Sequence, residues 1–181
     1  MLVVAKNDRA HFGLSSQFEH RTVQKEYFAL VVGQPDRDRD VVSLPIGIHP
    51  YQREKMAVRH DHPTSRPAES MYEVVERFDG FAAVRIWPKS GRTHQIRVHL
   101  SASGYPVLCD RLYGGRARIT RGEIRRHEDD DADILLQRQA LHARHLKLAH
   151  PVTGEKLEFE APLPADLTQV LGELRAHRPL R

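Results

Sequence analysis

A single cysteine, Cys109, stands in 181 residues, so the chain can form neither an internal disulfide nor a cysteine-rich zinc site, a usage that suits a reducing cytoplasm. Cys109 itself reads as a small core side chain. No apolar run approaches membrane-spanning length, and residues 1–6 lack the charged lead and cleavage pattern of a signal peptide. There is no Gly-x-Gly-x-x-Gly, no Walker loop and no Gly-x-Ser-x-Gly. Their absence removes the commonest signals of nucleotide use and serine hydrolysis and favours chemistry without a cofactor. Nor is there an internal repeat or a strong excess of one charge: 28 Lys plus Arg face 24 Asp plus Glu, and the net charge of +4 leans only mildly toward a polyanionic partner.

What is present fits one domain over residues 1–181. Residues 1–6 are a continuous apolar run with two β-branched side chains, which predicts a strand buried on both faces. Asn7 or Asp8 then caps a helix carrying Ala10, Leu14 and Phe18 on one face and ending near Arg21. A strand in need of neighbours, followed at once by a helix, predicts a chain that starts inside a domain. Residues 25–33 form the next buried strand, closed by Gly33 and Pro35, and the charged run 36–40 is a solvated loop.

Short strands are predicted at 41–44 and 56–58 and a surface loop at 60–70. A hairpin of strands 72–78 and 82–87 should turn at Asp79-Gly80, the strongest short hairpin signal in the chain. Residues 116–133, first basic (Arg116, Arg118, Arg121, Arg125, Arg126) and then acidic, read as a flexible insertion. Residues 141–148 and 157–161 alternate into another hairpin. Asp166 caps a last helix with Leu167, Val170, Leu171 and Leu174 at helical spacing. The sum is the α+β class, a mixed, largely antiparallel sheet with flanking helices.

The densest set of polar donors is Ser-Gly-Arg-Thr-His-Gln-Ile-Arg-Val-His-Leu at 90–100. Gly91 frees its start, Ile96 and Leu100 make a buried stripe, and Gly104 with Pro106 supplies the stop, so the stretch reads as one short amphipathic helix. Thr93 and Arg97 fall one turn apart beside that stripe. Arg97 therefore projects from the edge of the core and needs an anion, as half of a buried structural ion pair or as a catalytic or phosphate-binding group. Tyr27, near the start of a buried strand, is either a core aromatic whose hydroxyl finds a partner or a platform for a flipped base. Twelve histidines raise a metal reading, yet no His-Glu-x-x-His occurs and His60 and His62 fall in a loop. His142 and His145 lie on opposite faces of a strand and cannot chelate together without a bulge.

The 90–100 stretch, with Gly-Tyr-Pro-Val at 104–107 and Asp-Arg-Leu-Tyr-Gly-Gly at 110–115, closely resembles the RluA-type RNA pseudouridine synthases. So do Val-Val-Ala-Lys-Asn at 3–7, Lys-Glu-Tyr-Phe-Ala-Leu-Val-Val-Gly at 25–33, Gln-Ala-Leu-His at 139–142, His-Pro-Val-Thr-Gly at 150–154 and Ala-Pro-Leu-Pro at 161–164. The likeness covers nearly the whole chain in the family's order.

The resemblance implies a cytoplasmic enzyme, free of metal, cofactor and membrane, that isomerises uridine to pseudouridine in ribosomal or transfer RNA. A catalytic aspartate attacks the nucleoside after the uridine has flipped from its stack, and the freed uracil rotates and rejoins through carbon. By resemblance Tyr27 packs on the target base and Arg97 pairs with the catalytic aspartate. Lys25 of the Lys-x-Tyr element is an expected RNA contact. Arg92, His94 and Gln95 contact backbone phosphate or hold the loop, and plain solvation of a helix start serves Arg92 and His94 equally.

The family's aspartate belongs to a His-Arg-Leu-Asp-x-x-Thr-Ser-Gly element ahead of the Leu-Val-Val-Ala-Lys strand, and these residues do not contain it. Asp8 reads as a helix cap and Asp110 falls in another matching motif, so neither serves as the nucleophile. The expectation is a partial catalytic domain without the family's N-terminal strands, inactive as it stands, with Arg97 a partly buried unpaired cation. The alternative is a non-catalytic RNA-binding remnant of the same fold, holding RNA through the arginines of 116–133.

Overall fold

A computed structural model describes residues 1–127 and 133–180. Along the chain run α1 (Asp8–Glu19), β1 (Gln24–Val32), β2 (Arg39–Ser43), β3 (Ile46–Ile48), β4 (Met56–Val58), β5 (Glu69–Phe78), β6 (Phe81–Pro88), α2 (Gln95–Ala102), β7 (Ile119–Thr120), α3 (Arg121–Arg125), β8 (Ile134–Leu136), β9 (Leu141–Ala149), β10 (Lys156–Glu160) and α4 (Ala165–His177). Six strands make one sheet in the order β10-β9-β1-β6-β5-β2, and β3-β4 and β7-β8 are separate two-stranded ribbons. Every strand pairing among the described residues is antiparallel, so the α+β reading holds with a sheet that is antiparallel there throughout.

The central position of β1, between β6 and β9, explains why Phe28 to Val31 are apolar without alternation: helices cover both faces of the sheet there. On one face α2 sits over β5, with His99 and Gln95 bonded to Ser70, and α1 packs Leu14 with Leu148 and Val23. On the other face lies α4, whose Leu167, Val170 and Leu174 are fully buried. There Arg175 pairs with Glu76, and the Arg178 guanidinium stacks over Phe81 at 5.8 Å. The turn between β5 and β6 is Asp79-Gly80, with Gly80 at φ +82, the left-handed region where a Cβ is strained.

Several expectations are corrected. Residues 1–6 form no strand, because no neighbouring strand offers them a ladder: Leu2 and Val4 are exposed while Val3 and Ala5 pack on the Leu14 cluster. The 90–100 helix begins only at Gln95, since His94 at φ 56 turns the chain before it. The ribbon strand Ile46–Ile48 escaped the sequence reading because three residues around a glycine carry no period. Asp166 does not cap α4: Pro164 holds that position, and Asp166 sits in the first turn, paired with Arg138 at 2.8 Å.

The stretch 116–133 is corrected over its described part. Thr120 and Glu123 form a capping box on α3, and Ile119 and Ile124 are fully buried. Its arginines are engaged in packing: Arg116 with Glu123, Arg121 with Asp133 and Glu173, Arg125 with Glu173 and Arg126 with Asp79. Residues 128–132 lie outside the described residues.

Candidate active site

Tyr27 stands on the sheet face that carries α1 and α2, paired with Ile86 of β6 and Ala143 of β9. It floors a groove of about 330 Å³ whose walls are Phe18 of α1, the 90–94 loop, and Ile96 and Arg97 of α2, with Leu141 and Pro88 at its ends. A smaller apolar recess beside it adds Met1, Leu2, Val3 and Leu146. The Tyr27 ring is half-buried, its hydroxyl makes no hydrogen bond to the described residues, and burial raises its pKa. A core tyrosine normally finds a partner, and this hydroxyl opens on the groove without one among the described residues. Lys25 lies two residues away, its Nζ donating to the Ser90 carbonyl at 3.2 Å. Burial, then the charge of Arg21, lowers its pKa.

Arg97 has its anion within this chain. Its Nε and Nη2 donate to the two carboxylate oxygens of Asp110 at 2.6 and 2.7 Å, and Asp110 is wholly buried. The expectation of an unpaired cation is overturned, and the buried ion pair weighed at the outset is what the fold contains. Asp110 Oδ1 also accepts from the amides of Leu112 and Tyr113. Burial alone would raise the Asp110 carboxyl, but the hydrogen bonds and charge of Arg97, with those two amides, outweigh it and hold the pKa below its ordinary value. The same pairing raises Arg97. On its far side Arg97 borders a wider cleft of about 730 Å³ with Lys55, Arg111, Gln137 and Gln139 on its rim.

Residues 1–102 match the family described as RNA pseudouridylate synthase. A ribosomal large subunit pseudouridine synthase D of Nitrosomonas europaea is 42% identical over 97% of this chain and 48% of its own length. One of Pseudomonas aeruginosa is 42% identical over 98% of this chain and 54% of its own. Among solved structures, human RNA pseudouridylate synthase domain containing 4 superposes with a TM-score of 0.73 at 26% identity, over 93% of this chain and 69% of that one. The chain belongs to the RNA pseudouridylate synthase family. It spans about half the length of the curated relatives named.

Of the other residues singled out in this family member, Gln95 builds the loop. Its Oε1 accepts from Ser90 Oγ at 2.7 Å and the Arg92 amide at 3.0 Å, and its Nε2 donates to the Glu69 carbonyl and Ser70 Oγ. A buried amide with all four bonds made holds the 90–94 loop and has none left for a phosphate. Arg92 lines the groove with its guanidinium open apart from a long bond to Pro67. His94 Nδ1 meets the Tyr113 hydroxyl at 2.8 Å, and burial, then the charge of Arg97, lowers its pKa.

A bulge does occur in β9 between His142 and His145, but His142 bonds the Ala161 carbonyl and His145 pairs with Glu158. No described cluster of His, Cys, Asp or Glu could hold a metal. No carboxylate lines the groove among the described residues. It can stack a planar base and take an anion, and among the described residues its lining supplies hydroxyl, imidazole and amine groups in place of a carboxylate nucleophile.

Two groups escaped the sequence reading. Phe18 was placed only as a core position, and Asp110 only as part of a motif. Asp110 did carry a signal: an acid directly after the apolar run Val-Leu-Cys at 107–109 enters the core and must be paired there.

Proposed function

We propose that this chain is the uridine-binding part of an RNA pseudouridine synthase, acting on structured ribosomal or transfer RNA in the cytoplasm to isomerise uridine to pseudouridine. The single observation behind this is the groove itself: an aromatic floor with a free hydroxyl at Tyr27, flanked by Lys25, Arg92 and Arg97. A uridine flipped from its stack would lie on the Tyr27 ring, with Arg92 and Lys25 meeting its phosphates. Family membership and the matching relatives support the same reaction.

Isomerisation also needs a carboxylate nucleophile, and among the described residues none lines the groove. A chain of these residues alone is therefore expected to bind RNA and form no pseudouridine, which also keeps the RNA-binding remnant as the second reading. The test measures RNA affinity and chemically labelled pseudouridine side by side, for this chain and for the longest in-frame product of its gene. Pseudouridine formed by these residues alone would overturn the missing carboxylate, and absence of RNA affinity in both proteins would overturn the function. Activity confined to the longer product would sink the remnant reading.

A further inference from the structure

Arg97 is restrained more than an ion pair requires. Asp110 grips one edge of the guanidinium through Nε and Nη2, and Asp110 is itself pinned by two backbone amides. The Tyr113 ring lies beneath the guanidinium carbon at 4.9 Å, which limits tilt. Tyr113 is fixed at its far end: its hydroxyl accepts from the Met56 amide at 2.8 Å and bonds His94 Nδ1 at 2.8 Å. The remaining nitrogen, Nη1, has no partner among the described residues and is not sealed from solvent. Arg97 borders both the Tyr27 groove and the wider cleft.

A buried ion pair is a poor source of stability compared with apolar side chains of the same volume. A held arginine with one donor left open is instead pre-organised: the rotamer entropy that a loose side chain would lose on binding an anion has been lost on folding. We propose that Asp110 and Tyr113 are positioning residues, fixing Arg97 so that Nη1 meets an RNA phosphate brought to the groove. Through Met56 and His94 the same contacts tie Arg97 to the β3-β4 ribbon and to the 90–94 loop. The proposal rests on the RNA reading for its ligand.

The experiment uses Asp110→Asn, Tyr113→Phe and Arg97→Lys in the full chain. Their urea midpoints, their affinity for a uridine-containing RNA hairpin and the Arg97 Nε–H resonance by nitrogen-15 NMR are measured together. In the wild-type chain the Arg97 signal should be slow to exchange and shifted from free arginine. In Asp110→Asn it should move to the free position while RNA affinity falls about tenfold, the scale of one charge-assisted hydrogen bond.

Tyr113→Phe keeps the ring and removes only the hydroxyl links. It should lower the midpoint modestly, through the Met56 amide left without its acceptor, speed guanidinium rotation and weaken RNA about threefold. Arg97→Lys, which cannot form the fork, should bind RNA no better than Asp110→Asn. Wild-type RNA affinity in Tyr113→Phe and in any folded Asp110→Asn would overturn the proposal. So would an Arg97 signal that stays immobile in both. If the wild-type chain binds no RNA, the RNA reading fails, and the resonance still decides whether the two residues hold Arg97.

Discussion

At Arg97 and His99 the fold commits ionisable side chains to single partners, which makes its stability depend on pH. His99 is almost fully buried, its Nε2 donating to the Leu44 carbonyl and its Nδ1 facing the Ser70 hydroxyl, and that burial favours the neutral ring. Burial lowers its pKa, partly opposed by the Leu44 bond. Below the ordinary imidazole value of about 6.5 the unfolded chain therefore takes up a proton before the folded one does, and stability falls from there down to the depressed folded value. Asp110 follows the same sign lower down: its contribution is complete above the ordinary aspartate value of about 3.9 and is lost as pH falls through its depressed folded value. Urea midpoints followed from about pH 8 into acid should decline in two steps. The upper step should shrink in His99→Asn, and a flat profile above about pH 4 would contradict the assignment.

Among the elements, α1 is the one whose seat matters most to the groove, because it carries both Leu14 into its cluster and Phe18 to the wall beside Tyr27. The helix approaches the 150–154 turn so closely that a Cβ at Gly13 would lie 2.8 Å from both Cβ and O of Pro151. Gln17 fastens the same contact by bonding the Ala149 carbonyl and amide at 2.8 Å each. In an open helix Gly→Ala gains about 1 kcal/mol, but here the overlap is with backbone and costs about 1–3 kcal/mol. Gly13→Ala is thus expected to lower the melting temperature and to weaken RNA binding by displacing Phe18. A raised melting temperature would show that the helix can shift without loss. The helix itself was legible from Asn7 and the Ala10, Leu14, Phe18 spacing; its closeness to Pro151 was not, since that contact joins positions far apart in the chain.

Over the whole molecule the net charge of +4 understates how unevenly the cations are spent. The arginines of the described 116–127 stretch tie α3 to α4 and to the β5-β6 turn, whereas Lys55 and Arg111 stand on the wide cleft with no carboxylate partner among the described residues. RNA affinity should fall with log salt, each phosphate contact contributing about 0.7 to the slope for a single strand. Lys55→Ala and Arg111→Ala are expected to flatten that slope, and Arg121→Ala to leave it unchanged while lowering the melting temperature. The reverse pattern in anisotropy titrations would return RNA binding to the 116–133 stretch. Alternation, turn residues and the 25–33 and 90–100 motifs determined the six strands of the main sheet, α1, α2, α4 and the family, because those signals are local in the chain. Only the tertiary structure decided that Arg97 is paired with Asp110, that Gln95 is consumed by its loop and that residues 1–6 make no strand. Each of those outcomes depends on which distant group arrives in the low-dielectric core to satisfy a charge, an amide or a strand edge, and residue spacing carries no record of that.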